Sequence, residues 1–212
     1  MKKNLRRWIT LLVFVLPFSV TLAGENVIRF KILKLNRDAS QQRFMKITRD
    51  RFNSEDIAAI EYEEEDTGYG ITDEMWINHY FGFFVTAGYY GQYRTDILLT
   101  DGSAYTIDEN LLFGYGGVAF RKRFAKRFTV FGLLGYGYWR DRIRANDLSQ
   151  AELDPPLETL YHTSNEEGFS AAYEVGLSFA INDLVGITVS YEKTDIFDVD
   201  MTAWSGSLSF TY

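Results

Sequence analysis

The chain has 212 residues, no cysteine, 17% aromatic residues, 17 glycines, only 3 prolines and a formal charge of −7. The acidic balance argues against nucleic acid as a partner, and without cysteine no disulfide can stabilise the fold in an oxidising compartment. Beyond the first two dozen residues no uncharged apolar run approaches the ~20 residues of a spanning helix, which excludes a helical membrane protein.

Lys2, Lys3, Arg6 and Arg7 form a basic head, 8–20 is almost entirely apolar, and Ala23 offers a small residue before Gly24 and Glu25. This pattern reads as a secretory signal peptide over 1–23. One domain is then expected over 24–212, and losing the four basic residues takes the formal charge from −7 to −11.

The N-terminal third carries three strand-like stretches. In 27–35, Ile28, Phe30 and Ile32 alternate with Arg29 and Lys31; 44–48 and 57–62 are also strand-like. One strand is expected from about 27–50 and one from about 56–72. The acidic run Glu61, Glu63, Glu64, Glu65 and Asp66 cannot face the middle of a bilayer cheaply. It is expected in or beside a first external loop, on a solvated face.

Six further strands follow from residue 80. Over 80–94, Phe83, Val85, Ala87 and Tyr89 share one face. The stretches 111–120 and 128–139 are rich in Gly and Tyr and apolar on both faces, so their inward side is not assignable; the basic segment 121–127 separates them. In 169–181 the residues Phe169, Ala171, Tyr173, Val175, Leu177, Phe179 and Ile181 oppose Ser170, Ala172, Glu174, Gly176, Ser178 and Ala180. Asn182-Asp183 makes a tight turn, and 184–192 alternates again with Val185, Ile187, Val189 and Tyr191 on one side. In 203–212, Trp204, Gly206, Leu208, Phe210 and Tyr212 oppose Ala203, Ser205, Ser207, Ser209 and Thr211.

Strand side chains alternate between two faces, so these segments carry one face for lipid and one of small hydroxyls for a polar interior. Backbone groups in hydrocarbon must all be paired, which forces closure. The expected fold is an all-β, closed, antiparallel, up-and-down transmembrane β-barrel of eight strands. Ten is the alternative if every N-terminal candidate pairs; nine is excluded because both termini lie on one side. Short turns near 121–127 and 182–183 fall at the periplasmic end, and the polar segments 95–109, 140–167 and 194–202 are expected as external loops. Eight strands enclose a space that side chains can fill. Glu174, Glu192 and either Arg94 or Arg140 are expected inside or near the rim, with Glu174 in a Glu–Arg network. Trp76, Tyr138, Trp139, Tyr191, Trp204 and Tyr212 suit interfacial belts.

Chemistry-bearing motifs are sparse. Only two histidines occur, and there is no HExxH, phosphate loop or nucleophile elbow. Asp195, Asp198 and Asp200 could meet calcium but read as an ordinary acidic loop. His162 and Ser164 share one side if extended, with Glu174 expected on a following strand, which gathers the group types of acyl transfer. This His-x-Ser-Asn stretch resembles the outer-membrane lipid A deacylases, whose triad would map to Ser164 as nucleophile, His162 as base and Glu174 as orienter. In that family, however, the glutamate sits on the last strand, whereas two strands are expected after Glu174. No catalytic, cofactor-binding or metal residue is therefore assigned, and no enzymatic activity or cofactor is expected.

A broader resemblance rests on F-F-V-T-A-G-Y-Y at 83–90, F-G-L-L-G-Y-G-Y at 131–138, V-G-L-S-F-A-I-N-D-L-V-G-I-T-V-S-Y at 175–191 and the final aromatic. From about residue 80 onward the chain resembles small Gram-negative outer-membrane barrels of the OmpA-like and opacity-protein type. That resemblance implies a structural, adhesive or small-pore protein of the cell outer membrane. It also assigns Phe210 and Tyr212 to the signal read by the outer-membrane assembly machinery. Partners expected on this basis are outer-membrane lipid and lipopolysaccharide, that machinery, and extracellular ligands met through the loops. No peptidoglycan-binding domain is expected to follow.

Overall fold

A computed structural model describes residues 25–37, 56–62, 65–147, 159–196 and 199–212. The strands are β1 (Asn26–Arg37), β2 (Ile57–Tyr62), β3 (Glu65–Trp76), β4 (Phe81–Leu99), β5 (Ala104–Arg123), β6 (Phe128–Asp147), β7 (Thr159–Ala180), β8 (Val185–Ile196) and β9 (Val199–Thr211). All pairings are antiparallel, in the order β2-β4-β3-β1-β9-β8-β7-β6-β5, and β5 returns to β4. Two of these strands share one position. β3 pairs with the lower part of β4, from Trp76↔Gly82 to Tyr69↔Tyr89, and β2 with the upper part, from Tyr62↔Thr95 to Ile57↔Leu99. The result is a closed transmembrane barrel of eight staves, one of them interrupted. The first and last staves seal it, from Val27↔Thr211 to Arg37↔Met201.

The alternation on the C-terminal strands sorts as expected. Trp204, Leu208 and Phe210 are 63%, 50% and 41% exposed on the outer surface, while Ser205, Ser207 and Ser209 are buried inside. Val189 and Leu177 face out, and Ser190 and Glu174 face in. The structure also settles the glycine-rich pair. β5 turns Leu111, Phe113, Tyr115 and Ala119 inward, and β6 turns Phe131, Leu133 and Trp139 inward, leaving Leu134, Tyr136 and Tyr138 outside. Inward glycines make room for these rings. A Cβ on Gly135 would lie 2.9 Å from the Phe84 ring and 2.9 Å from the Gly116 carbonyl oxygen.

Three short turns, 77–80, 124–127 and 181–184, lie at the end that carries both described termini. Two are built alike. Asn78 Oδ1 accepts from the N–H groups of Tyr80 and Phe81 (2.8 and 2.9 Å), and Asn182 Oδ1 from those of Leu184 and Val185 (2.9 and 2.8 Å). An Asn side chain standing in for a backbone acceptor is a standard way to close a tight reversal.

The opposite end departs from expectation. The segments 95–109, 140–167 and 194–202 are not loops for most of their length. Residues 95–99 complete β4, 104–109 open β5, 140–147 complete β6 and 159–167 open β7. The β4–β5 connection is only 100–103, where Gly102 has φ 87. The physical reason is that a ladder pairs backbone groups whatever the side chains are. Above the hydrocarbon the outer face meets water, so a strand there loses its apolar parity and reads as a loop. β4 to β7 have 19 to 22 residues, whereas β1, β8 and β9 have 12, 12 and 13. Since ~9–11 tilted residues cross a membrane, the four long strands continue roughly 20 Å beyond it. A bulge between Tyr89 and Gln92, with Gly91 at φ 87, marks where β4 enters this extension.

Other expectations shift for related reasons. Trp76 and Trp139 belong to no outer belt; both are buried in the lumen, while Tyr138, Trp204 and Tyr212 are on the outside. The acidic run lies partly inside a stave, with Glu61 in β2 opposite Asp96 of β4 and Glu65 and Asp66 in β3 opposite Asn36 and Leu35 of β1, because both neighbours offer a pairing edge there. The strand-like stretch 44–48 lies outside the described residues.

Candidate functional site: the barrel lumen

The lumen holds a charged cluster of five residues built from four staves. Arg29 and Lys31 are consecutive inward positions on β1, Glu74 projects from β3, Glu174 from β7 and Glu192 from β8, all buried. Arg29 Nη2 lies 2.5 Å from Glu74 Oε1, and its Nη1 lies 2.8 Å from Glu174 Oε1. Lys31 Nζ sits 2.5 Å from Glu174 Oε2 and 3.1 Å from Glu192 Oε2. Ser190 donates to Glu174 Oε1 at 2.7 Å and is 2.6 Å from Ser205 Oγ. The Tyr90 hydroxyl donates to Glu192 Oε1, and the Tyr115 hydroxyl approaches its other oxygen at 3.5 Å. Trp76 Nε1 donates to Glu74 Oε2 at 3.1 Å. The Arg29 guanidinium also lies 4.3 Å from the centroid of the Phe131 ring.

Glu174 is thus the hub, touching both cations. Buried charges persist only when paired and hydrogen-bonded, and removing one member of such a set costs several kcal/mol. The expected Glu174 network exists, but its partners differ. Arg94 lies instead on the outer side of the β4 extension, 3.1 Å from Asp96 and half exposed. Arg140 is exposed, in register with Leu112 and Glu167. The available clue was the alternation of Arg29 and Lys31 with Ile28, Phe30 and Ile32. Two cations on successive inward positions of a membrane-crossing strand require inward carboxylates.

Above the cluster lies a mainly apolar layer of Leu33, Leu35, Tyr90, Leu111, Met201 and Ala203, and the buried carboxylates Glu109 and Asp141 stand higher still. Below it, a cavity of about 310 Å³ at the lower mouth is lined by Glu25, Arg29, Glu74, Trp76 and Arg121 among others. Among the described residues, salt bridges, aromatic rings and this layer together narrow the bore.

The acyl-transfer constellation is not assembled through Glu174. His162, Ser164 and Glu174 all lie on β7, not on successive strands. Ten residues of strand at ~3.3 Å each separate Ser164 from Glu174 by roughly 33 Å. In backbone register His162 stands opposite Ala145 and Ser164 opposite Ile143, high on the extension. Of the aspartates, Asp195 and Asp200 pair in register, and Lys193 Nζ contacts Asp200; Asp198 lies outside the described residues. Among the described residues no group of three or more metal-ligand side chains converges.

A closed antiparallel barrel, apolar outside and polar-centred inside, with short turns at one end, defines an integral outer-membrane barrel protein. A family model described as the outer membrane protein beta-barrel domain matches residues 34–211. The chain belongs to that family, and its location is the cell outer membrane of a Gram-negative bacterium. Among solved structures, it is similar to Ail, the attachment invasion locus protein of Yersinia pestis, at 16% identity and TM-score 0.54. That match covers 89% of this chain and 99% of the other. It is also similar to the outer membrane protein OprG of Pseudomonas aeruginosa, at 14% identity and TM-score 0.58, covering 90% of this chain and 97% of the other. These likenesses establish the fold alone. No curated protein matches the chain.

Proposed function

We propose that the protein is a non-enzymatic surface-interaction barrel, working through the part of β4 to β7 that stands outside the bilayer. The observation that carries this reading is a row of arginines on β6. Arg140, Arg142 and Arg144 occupy alternate outward positions and are exposed, and none makes an ion pair among the described residues. Tyr136 and Tyr138 precede them on the same outer face. Exposed guanidinium groups just above an aromatic girdle suit phosphates and carboxylates of the surrounding lipopolysaccharide.

The filled lumen supports at most small, rare conductances. Phe210 and Tyr212, both exposed on the outer side of the C-terminal segment, are the proposed assembly signal. Replacing Arg140, Arg142 and Arg144 together by Gln should lower lipopolysaccharide retention by purified protein about tenfold or more, each lost charge-assisted contact counting for ~1 kcal/mol or more. Undiminished retention would end the surface reading. Ser164→Ala should leave lipid A acylation unchanged by mass spectrometry; an altered acyl pattern would establish an enzyme.

A further inference from the structure

The cations of this acidic chain are concentrated at one place on the periplasmic end. Arg121, Lys122, Arg123, Lys126 and Arg127 fall within seven residues around the β5–β6 turn, whereas the turns 77–80 and 181–184 contain no lysine or arginine. Arg121 is held inward, its Nη2 2.8 Å from Glu25 Oε2 and its guanidinium 4.1 Å from the centroid of the Trp76 ring. Arg123 reaches Glu25 only at 3.9 Å and is largely exposed. Lys122, Lys126 and Arg127 are exposed and make no ion pair among the described residues.

Beside these charges lies an exposed aromatic platform. Phe120, Phe124 and Phe128 are 50%, 58% and 38% exposed, and Phe124 stacks on Phe128 with centroids 5.9 Å apart. Phe81 and Phe179 extend the platform, 5.6 Å from Phe120 and 5.0 Å from Phe128. Aromatic rings at a strand end set the depth of the hydrocarbon boundary, so the unpaired cations sit at headgroup level of the inner leaflet. A zwitterionic headgroup offsets its phosphate with its own amine; a headgroup of net negative charge does not.

We propose that the β5–β6 turn captures the phosphate of an anionic phospholipid in the inner leaflet, with acyl chains lying against Phe120, Phe124 and Phe128. This site is independent of the arginine row on β6 and stands whether or not that row binds lipopolysaccharide. Arg121 and Arg123, both on the inward parity of β5 and both paired with Glu25, are structural neighbours of the site, and Lys122, Lys126 and Arg127 are its ligands.

The test uses the mature protein in nanodiscs of phosphatidylcholine with or without phosphatidylglycerol, and native mass spectrometry to count retained lipid. Wild type should keep phosphatidylglycerol in preference to phosphatidylcholine. A variant carrying Lys122→Gln, Lys126→Gln and Arg127→Gln should lose that preference at least about tenfold, each basic residue at a membrane surface counting for about fivefold before screening. Lys122→Arg with Lys126→Arg should keep it. Excess inorganic phosphate should leave the lipid bound, because the platform holds the acyl chains. Equal retention of the two lipids by wild type, an undiminished preference in the Gln variant, or displacement by inorganic phosphate would each overturn the proposal. Should the Gln variant fail to fold, amide shifts of residues 121–128 in the wild type decide. They should move when phosphatidylglycerol is introduced, and fixed shifts refute the site.

Discussion

On β1, β3, β7, β8 and β9 the inward positions carry Arg29, Lys31, Glu74, Glu174, Ser190, Glu192, Ser205 and Ser207. On β4, β5 and β6 they carry Phe84, Tyr90, Phe113, Tyr115, Phe131 and Leu133. The two arcs are contiguous around the barrel and complementary in volume. One supplies most of the charges and small hydroxyls, with Trp76, Leu33 and Leu35 among them, and the other supplies most of the rings, with Gly135 between them. They meet where the Tyr90 and Tyr115 hydroxyls reach Glu192 and where Arg29 lies over Phe131. Neither arc would fill so narrow a bore alone: two aromatic walls would collide, and two serine walls would leave it wet. The comparison teaches that the interior is specified by the division of large and small side chains between arcs, with the ion cluster locking the polar arc to itself and to the aromatic one.

Glu174→Ala should break the comparison most severely. It removes the carboxylate shared by Arg29 and Lys31 and leaves both buried cations short of a partner, a loss of about 3–5 kcal/mol read from urea unfolding in micelles. Next comes Gly135→Val, which adds bulk where a Cβ already meets Phe84 and the Gly116 carbonyl, at a cost of about 1–3 kcal/mol. Its control is Gly206→Ala on the outer face, where nothing lies within 4 Å, and a change within about 0.5 kcal/mol is expected. Ser205→Ala should cost about 1 kcal/mol by removing the Ser190–Ser205 hydrogen bond without touching the ions. The smallest effect lies outside both arcs. The Ser103 N–H donates to Asp101 and holds its carboxyl below the usual carboxylate range. The stabilisation is therefore complete above the unfolded-state pKa and lost as pH falls through the lower folded value. Exchange protection of the Ser103 amide should decline over that acid range, and Asp101→Asn should remove the pH dependence.

The polar arc was legible in the sequence because lipid and lumen impose opposite demands there. Val185, Ile187 and Val189 could not be mistaken for Gly186, Thr188 and Ser190. The aromatic arc was not, because Phe113 and Tyr115 inside are as apolar as Leu112 and Leu134 outside, so alternation vanishes while the strand remains. The extensions were illegible for the opposite reason: Arg140, Asp141, Arg142 and Arg144 make both faces polar once water replaces lipid. Of the ion cluster, Glu174 stood out as a lone carboxylate on a membrane strand. Its partners were concealed by sequence distance, since Arg29 and Glu174 are 145 positions apart and become neighbours only on closure.

The staves differ in height by nearly a factor of two, so the rim is cut obliquely, like a quill. Among the described residues, seen from outside the cell, the ladder stands as a fin on the β4–β7 flank and ends low on the β9–β1 flank. Anything gliding toward it within the leaflet meets the tall ladder from one bearing and the short one from the other. The barrel therefore has a compass direction in the plane of the membrane, which a rim of even height would lack.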